Sequence, residues 1–187
     1  YTSVSYTDQE GILLTTGLKR FTLRNNLSGK SDNDKFSYAT SLSLGFTKNN
    51  EATSLGTGGI NRNYVLGATL SAPYISPSEY TGSQDVFDLY NTDGTLLYTP
   101  LFLMDKLATY ENNTDEMRIM GSADLSYEIF KNVTAKSRTS FETIETRFTQ
   151  SEHPNSFNAY LFLNPGQDFA GFEDVNNRRE FRFNQLW

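Results

Sequence analysis

The chain contains no cysteine, so neither a disulfide framework nor a thiolate metal site is open to it. Its one histidine, His153, stands beside Pro154 with no His, Cys or carboxylate at ligand spacing, and reads as a solvated loop residue. Hydrophobic residues make up only 37% and the mean hydropathy is -0.52, which is polar for 187 residues gathered around one core. No run approaches the ~18 consecutive apolar residues of a membrane helix. That lack leaves a membrane β-barrel open, because only alternate residues of its strands face lipid. Positive charge is short as well: 16 Lys and Arg against 22 Asp and Glu give a net charge of -6, so nucleic acid is not an expected partner. Gly-x-Ser-x-Gly, His-Glu-x-x-His and phosphate-loop patterns are missing. Glu142 and Glu145 would make an acid–base pair only in a cleft the sequence does not define, so neither enzymatic activity nor a cofactor is expected.

What the sequence does have is alternation. From Phe36 to Asn49, Phe36, Tyr38, Leu42, Leu44 and Phe46 share one strand face, and Ser37, Ala39, Ser41, Ser43, Gly45 and Thr47 share the other. A half-buried strand of an ordinary sandwich alternates for about four to eight residues. A longer run calls for a wall between two solvents: about thirteen residues tilted near 40° rise roughly 33 Å, enough to cross a ~25 Å apolar band. The same period places Val4 and Tyr6 on one face of Tyr1 to Asp8, and Phe21, Leu23 and Leu27 on one face of Arg20 to Lys30. It returns at Met117, with Ile119, Ala123, Leu125, Tyr127 and Ile129 opposite Arg118, Ser122, Asp124, Ser126 and Glu128. Val133 to Gln150 follows, with Lys136, Arg138, Ser140 and Glu142 opposite Val133, Ala135 and Phe141. Ile144 and Phe148 fall out of phase there, which a register change or emergence from a bilayer would explain. Arg178 to Trp187 is the last strand, with Phe181, Phe183 and Trp187 in phase.

Between these strands lie turns at Gly11–Gly17, whose glycines are expected to supply positive φ, at Gly29–Lys35 and at Lys131-Asn132. Two long loops, about 50-116 and 151-177, lack periodicity. In the first, Asn61 to Ala72 fits a short helix stopped by Pro73, and Leu101 to Leu107 fits a helical turn. Asp85, Asp88, Asn91 and Asp93 precede Gly94 but lack the ligand alternation of a calcium loop, and read as a polar turn. Tight turns at one end and long loops at the other are the asymmetry of outer-membrane barrels, which would place the Gly29–Lys35 and Lys131-Asn132 turns on the periplasmic side and both long loops outside the cell. The chain begins at Tyr1 with no charged or apolar leader and stops at Trp187 inside a strand pattern, so both ends read as cuts through a longer polypeptide.

Three stretches carry a resemblance. Gly11-Ile12 followed by Lys19-Arg20-Phe21-Thr22-Leu23-Arg24-Asn25-Asn26-Leu27 resembles the hairpin and Arg-aromatic-x-x-Arg-x-Asn-Leu strand of SusC/RagA-type TonB-dependent transporters of Bacteroidetes. Gly58-Gly59, Asn63-Tyr64-Val65-Leu66 and Ala68 to Pro77 are similar to that family's extracellular loop, and Tyr127 to Ser137 to its Tyr-x-Ile-x-Lys-x-Leu strand-turn-strand. The resemblance implies an all-β fold in which this chain supplies about six antiparallel strands of a 22-stranded transmembrane barrel with long extracellular loops. It implies a place in the bacterial outer membrane and nutrient uptake, importing oligosaccharides or peptides, with a SusD-like surface lipoprotein as lid, TonB-ExbB-ExbD acting on a plug, and outer-membrane lipid around the wall. No plug domain, TonB box or carboxypeptidase-like extension is legible in these 187 residues, so energy coupling is carried by the resemblance alone.

Arg20, Arg24, Arg118, Asp124, Glu128, Arg138 and Glu142 share the polar faces, where pairing across neighbouring strands is the favoured role and contact with a plug or substrate the competing one. In the long loops Tyr64, Tyr74, Tyr80, Tyr90, Tyr98, Phe157 and Tyr160 are the candidate contacts for substrate or partner, against the alternative that the loops pack on themselves. The rival class is a soluble or surface-attached β-rich carbohydrate-binding module.

Overall fold

A computed structural model describes residues 1–51, 63–71, 73–93, 98–161, 163, 165–168 and 170–187, excluding the side chains of Tyr64 and Asp93. Six strands, β1 (Thr2–Glu10), β2 (Gly17–Lys30), β3 (Phe36–Asn50), β4 (Tyr110–Phe130), β5 (Val133–Glu152) and β6 (Phe172–Leu186), form one antiparallel sheet in chain order. Each strand lies beside its sequence neighbours, and β1 and β6 leave open edges among the described residues. Among the described residues, four short helices, α1 (Tyr64–Leu70), α2 (Ser83–Asp93), α3 (Thr99–Thr109) and α4 (Phe157–Leu161), occupy the two long connections. A 3-10 turn at Pro77–Glu79 lies between α1 and α2.

Register aligns the alternation of separate strands into two whole faces. Tyr6 opposes Phe21, Phe21 opposes Phe46, and Phe46 opposes Met117. One step along, Val4, Leu23, Leu44 and Ile119 stand in line, and at the far end Phe36 opposes Tyr127. Phe141 and Phe183 carry this apolar face onto β5 and β6, where Ser137, Thr139 and Thr143 interrupt it with small hydroxyls and the pair Glu145 and Arg179 closes it in the row of Phe46. Gly121 is buried because the Phe141 ring lies over it from the neighbouring strand. The opposite face carries the Ser, Thr, Arg, Asp and Glu residues of each strand.

Among the described residues, neither face is packed against another element. Among the described residues, the buried apolar side chains, Val86, Leu101, Phe102, Leu103, Phe157 and Ala159, all belong to the connections. The helices gather on α3 at the end of the sheet where β3 ends and β4 begins. Tyr6, Leu27, Phe46, Tyr127 and Phe181 are exposed on the apolar face. Five strand spacings of ~4.8 Å and ten residues of ~3.3 Å give that face an area on the order of 800 Å². A soluble monomer rarely leaves a contiguous apolar patch beyond a few hundred Å² uncovered.

Several boundaries differ from the sequence expectation. β4 starts at Tyr110, β5 runs to Glu152 and β6 starts at Phe172, so the connections span 51–109 and 153–171. Segments such as Tyr110-Glu111-Asn112-Asn113-Thr114 lie in the ladder but are polar on both faces, so no period of two marks them. Gly29 and Lys30 belong to β2, which shortens that turn to residues 31–35. The positive φ angles of the hairpins fall on Thr15, Asp34 and Asn132 and on none of the expected glycines. At Gly11 the constraint is room: a Cβ would meet the Thr16 side chain. The register is unbroken past Ile144 and Phe148, and its one β4–β5 irregularity lies between Glu128 and Phe130, so no slip accounts for those two residues.

The first connection is not structureless. Asn63 caps α1 by accepting from the backbone N–H groups of Val65 and Leu66 at 3.1 and 3.0 Å. The helix occupies the inner part of the expected 61–72 span, ending at Leu70. Gly58, Gly59, Asn61, Ala72 and Gly94 lie outside the described residues. The expected turn at 101–107 is the interior of α3, which Pro100 opens. Asp85, Asp88, Asn91 and Asp93 lie on α2 and form no turn, the first held by Thr81 Oγ1 at 2.6 Å and the second by Gln84 Nε2 at 2.9 Å.

Gly121→Val is expected to displace the Phe141 ring and cost ~1–3 kcal/mol in denaturant unfolding, with much of the cost returned by adding Phe141→Ala. Equal, additive losses in the two single variants would show that the ring does not rest on the glycine.

Candidate functional site

Two surfaces bring the candidate residues together: the lobe of helices and the polar face of the sheet. In the lobe, Phe102 and Phe157 stack with ring centroids 4.3 Å apart, and the Tyr90 ring meets both edge-on at 6.0 and 5.6 Å. Tyr160 packs on Phe87 at 5.3 Å, and Tyr80 and Tyr98 flank the same cluster. Of the candidate contact residues, Phe157 is therefore buried, and Tyr80, Tyr90, Tyr98 and Tyr160 are half-buried in ring packing within the lobe. Tyr74 stands 83% exposed on the loop after α1. The Tyr64 side chain, Phe162 and Phe169 lie outside the described residues.

A residue that sequence reasoning did not single out ties this lobe together. Asp105 on α3 is 2% exposed; its Oδ1 accepts from the Tyr80 hydroxyl at 2.9 Å and its Oδ2 from the Phe157 backbone N–H at 2.8 Å. One carboxylate thus joins the 51–109 connection to the 153–171 connection. A second network finishes the α4 end: Ser156 Oγ donates to Glu152 at 3.1 Å and accepts from Ala159 N–H at 2.9 Å, while Asn158 donates to the other Glu152 oxygen at 2.9 Å. The aspartate's place on an otherwise apolar stretch, Leu101-Phe102-Leu103-Met104-Asp105, was the available signal. Burial is the first cause holding the Tyr80 hydroxyl above its ordinary 10.0, and the Asp105 charge adds to it while a hydrogen bond with Ser83 opposes it.

On the polar face, Arg118 on β4 and Arg182 on β6 both pair with Glu142 on β5, Arg182 at 3.3 Å. Asp124 pairs with Arg138 across β4 and β5, and Glu180 with Arg178 at 2.7 Å and Arg182 at 3.1 Å. Cross-strand pairing holds for Arg118, Asp124, Arg138 and Glu142; Arg20, Arg24 and Glu128 have no ion pair among the described residues. Exposed pairs of this kind contribute about 0–1 kcal/mol each, so they organise the face more than they hold the sheet. Glu145 points to the other face, where it pairs with Arg179, so Glu142 and Glu145 do not converge as an acid and a base. His153 is exposed, and its Nδ1 accepts from Asn155 N–H at 3.2 Å.

No protein-family model matches the chain, and a search of curated proteins returns no match.

Asp105→Ala leaves the buried Phe157 N–H without its acceptor, and a loss of about 2–4 kcal/mol in local stability is expected. Hydrogen exchange should speed up across 83–109 and 157–161 while β1–β3 stay protected; uniform change over the chain would contradict the latch. The folded state holds the Tyr80 proton more tightly than the unfolded chain, so its contribution is complete below pH 10.0 and is lost as the pH rises through the raised folded value. Alkaline titration should loosen the lobe of the native chain and leave that of Tyr80→Phe insensitive over the same interval.

Proposed function

We propose that this chain is wall from an outer-membrane β-barrel importer of the SusC-like, TonB-dependent kind, admitting oligosaccharides or peptides. The observation that carries the reading is the uncovered sheet with one apolar and one polar face. From Phe36 to Phe46 the apolar face of β3 runs about 33 Å along the strand, or roughly 25 Å once tilted near 40°, the height of the apolar band of outer-membrane barrels. Tyr6, Phe21 and Phe46 stand at one end of that band and Phe36, Tyr38, Tyr127 and Trp187 at the other, where such barrels carry aromatic girdles.

The band ends abruptly, on β5 and β6 already at the Glu145–Arg179 pair in the row of Phe46. One step beyond Phe46, on the same face, Asp8, Lys19, Lys48, Asp115, Arg147 and Asn177 form a row across all six strands. An Arg or Lys at bilayer mid-depth costs ~2–4 kcal/mol and near the interface ~0–1, so this row fits the surface of a bilayer and not its interior. Beyond it the strands continue mostly with polar residues on both faces, broken by Leu18, Phe148, Phe172 and Val175. On this reading the polar face lines the lumen, the helical lobe lies outside the cell, and the 31–35 and 131–132 turns face the periplasm.

A SusD-like lipoprotein over the lobe and TonB-ExbB-ExbD acting on a plug come from the motif resemblance of β1–β2, α1 and β4–β5. The cargo is not specified by the wall.

Cysteines placed at Phe21, Leu23, Phe36, Leu42, Leu44 and Phe46 should react with lipid-phase probes, and those at Ser37, Ser41 and Ser43 only with aqueous ones. Equal labelling of both sets, or a polypeptide that stays folded and soluble without detergent, would remove the barrel reading in favour of a soluble β-rich module.

A further inference from the structure

The polar face divides into unequal halves. Over β4–β6 its arginines are interleaved with carboxylates, as Glu142, Asp124 and Glu180 show. Over β1–β3 it carries Arg20, Arg24 and Lys30 and no carboxylate. Arg24 is exposed, lies between Ser3 and Ser43 in register, and makes no side-chain hydrogen bond or ion pair among the described residues. Among the described residues Arg20 makes a single side-chain bond, from Nε to Thr47 Oγ1 at 3.3 Å, and its nearest carboxylate by register is Glu116, two strands or about 10 Å away. A guanidinium left with most of its donors turned to a face that is otherwise neutral is a ready partner for a carboxylate, since the pair can be bidentate and charge-assisted.

Beside the two arginines, β3 presents Ser37, Ala39, Ser41, Ser43, Gly45 and Thr47 on this face, so nothing bulky keeps a main chain from lying close to the sheet. The ground between them, Ser5, Thr22 and Gly45, has no ring on which a sugar would stack. Arg20 and Arg24 are four residues apart on one strand, about 13 Å, which is also the separation of side chains four apart in an extended polypeptide.

We propose that this half of the polar face binds an extended acidic polypeptide segment, one carboxylate on Arg20 and another on Arg24, its backbone over the small residues of β3. The inference rests on the barrel reading in so far as that reading encloses this face and removes competing water.

The test uses cells producing the full-length polypeptide, with Ser43 replaced by photoreactive p-benzoylphenylalanine. Irradiation should yield adducts to a polypeptide stretch with acidic residues four apart. Arg20→Glu with Arg24→Glu should lower their yield about tenfold or more, while Arg20→Lys with Arg24→Lys, which keeps the charge and loses the bidentate fork, should give an intermediate yield. Should the reversed variant not assemble, Arg20→Gln with Arg24→Gln gives the same reading with less repulsion. Adducts insensitive to these changes, adducts only to glycan or lipid, or no adduct at all would overturn the proposal. The same probe in place of Leu44 separates the two claims. Lipid adducts at Leu44 without peptide adducts at Ser43 sink this inference alone, and their absence at Leu44 sinks the membrane reading.

Discussion

A strand sends successive side chains to opposite sides, and a sheet with nothing packed on either side must find a solvent for each. That constraint governs the rest of this molecule. The backbone ladder joins six strands in register from Thr2 to Leu186, and the alternation within each strand then becomes two continuous faces of unlike chemistry. In an ordinary globular domain the apolar face would be buried under a helix layer or second sheet. Here the helices form a lobe with its own core around Val86, Leu101, Phe102 and Phe157 at the sheet's end, and both faces stay open among the described residues. The proposed bilayer on one side and aqueous lumen on the other satisfy both faces at once.

The lobe and the sheet are stabilised by different physics. Within the lobe, apolar burial and a shared buried carboxylate draw two loops, separate in sequence, into one unit. Within the sheet, side-chain burial contributes little, and main-chain hydrogen bonds with cross-strand contacts such as Phe141 over Gly121 carry the order. This division leaves the sheet's faces free for whatever lies against them, while Asp105 keeps the loop end shaped independently of it.

The strands were legible where the two faces differ and illegible where they do not. Phe36–Phe46, Met117–Ile129 and Phe181–Trp187 announce themselves by period two, whereas 111–116 is polar on both faces and 172–177 has one apolar residue on each, Phe172 and Val175, so both join the ladder through backbone bonds without a period of two. Helix α2 was missed because its Asp-rich face resembles a turn, although Val86 and Phe87, with Leu89 and Tyr90 three residues on, mark its inner side. The loop aromatics were recognised as a group, but a list of rings does not tell packing from display. Only the tertiary arrangement separates stacked Phe157 from exposed Tyr74. Which arginines pair was equally hidden, since Arg118 meets Glu142 through a register that spans 24 residues of chain.

Whether the sheet separates lipid from water can be read by spin labels stepped one residue at a time along β3, with collision by oxygen and by a water-soluble nickel complex measured at each. A wall between lipid and water gives opposite oscillations of period two from Phe36 to Phe46, oxygen high at even positions and nickel high at odd ones, fading at Lys48 where both sides meet water. A nickel profile without oscillation, or one high on both faces throughout, would contradict it.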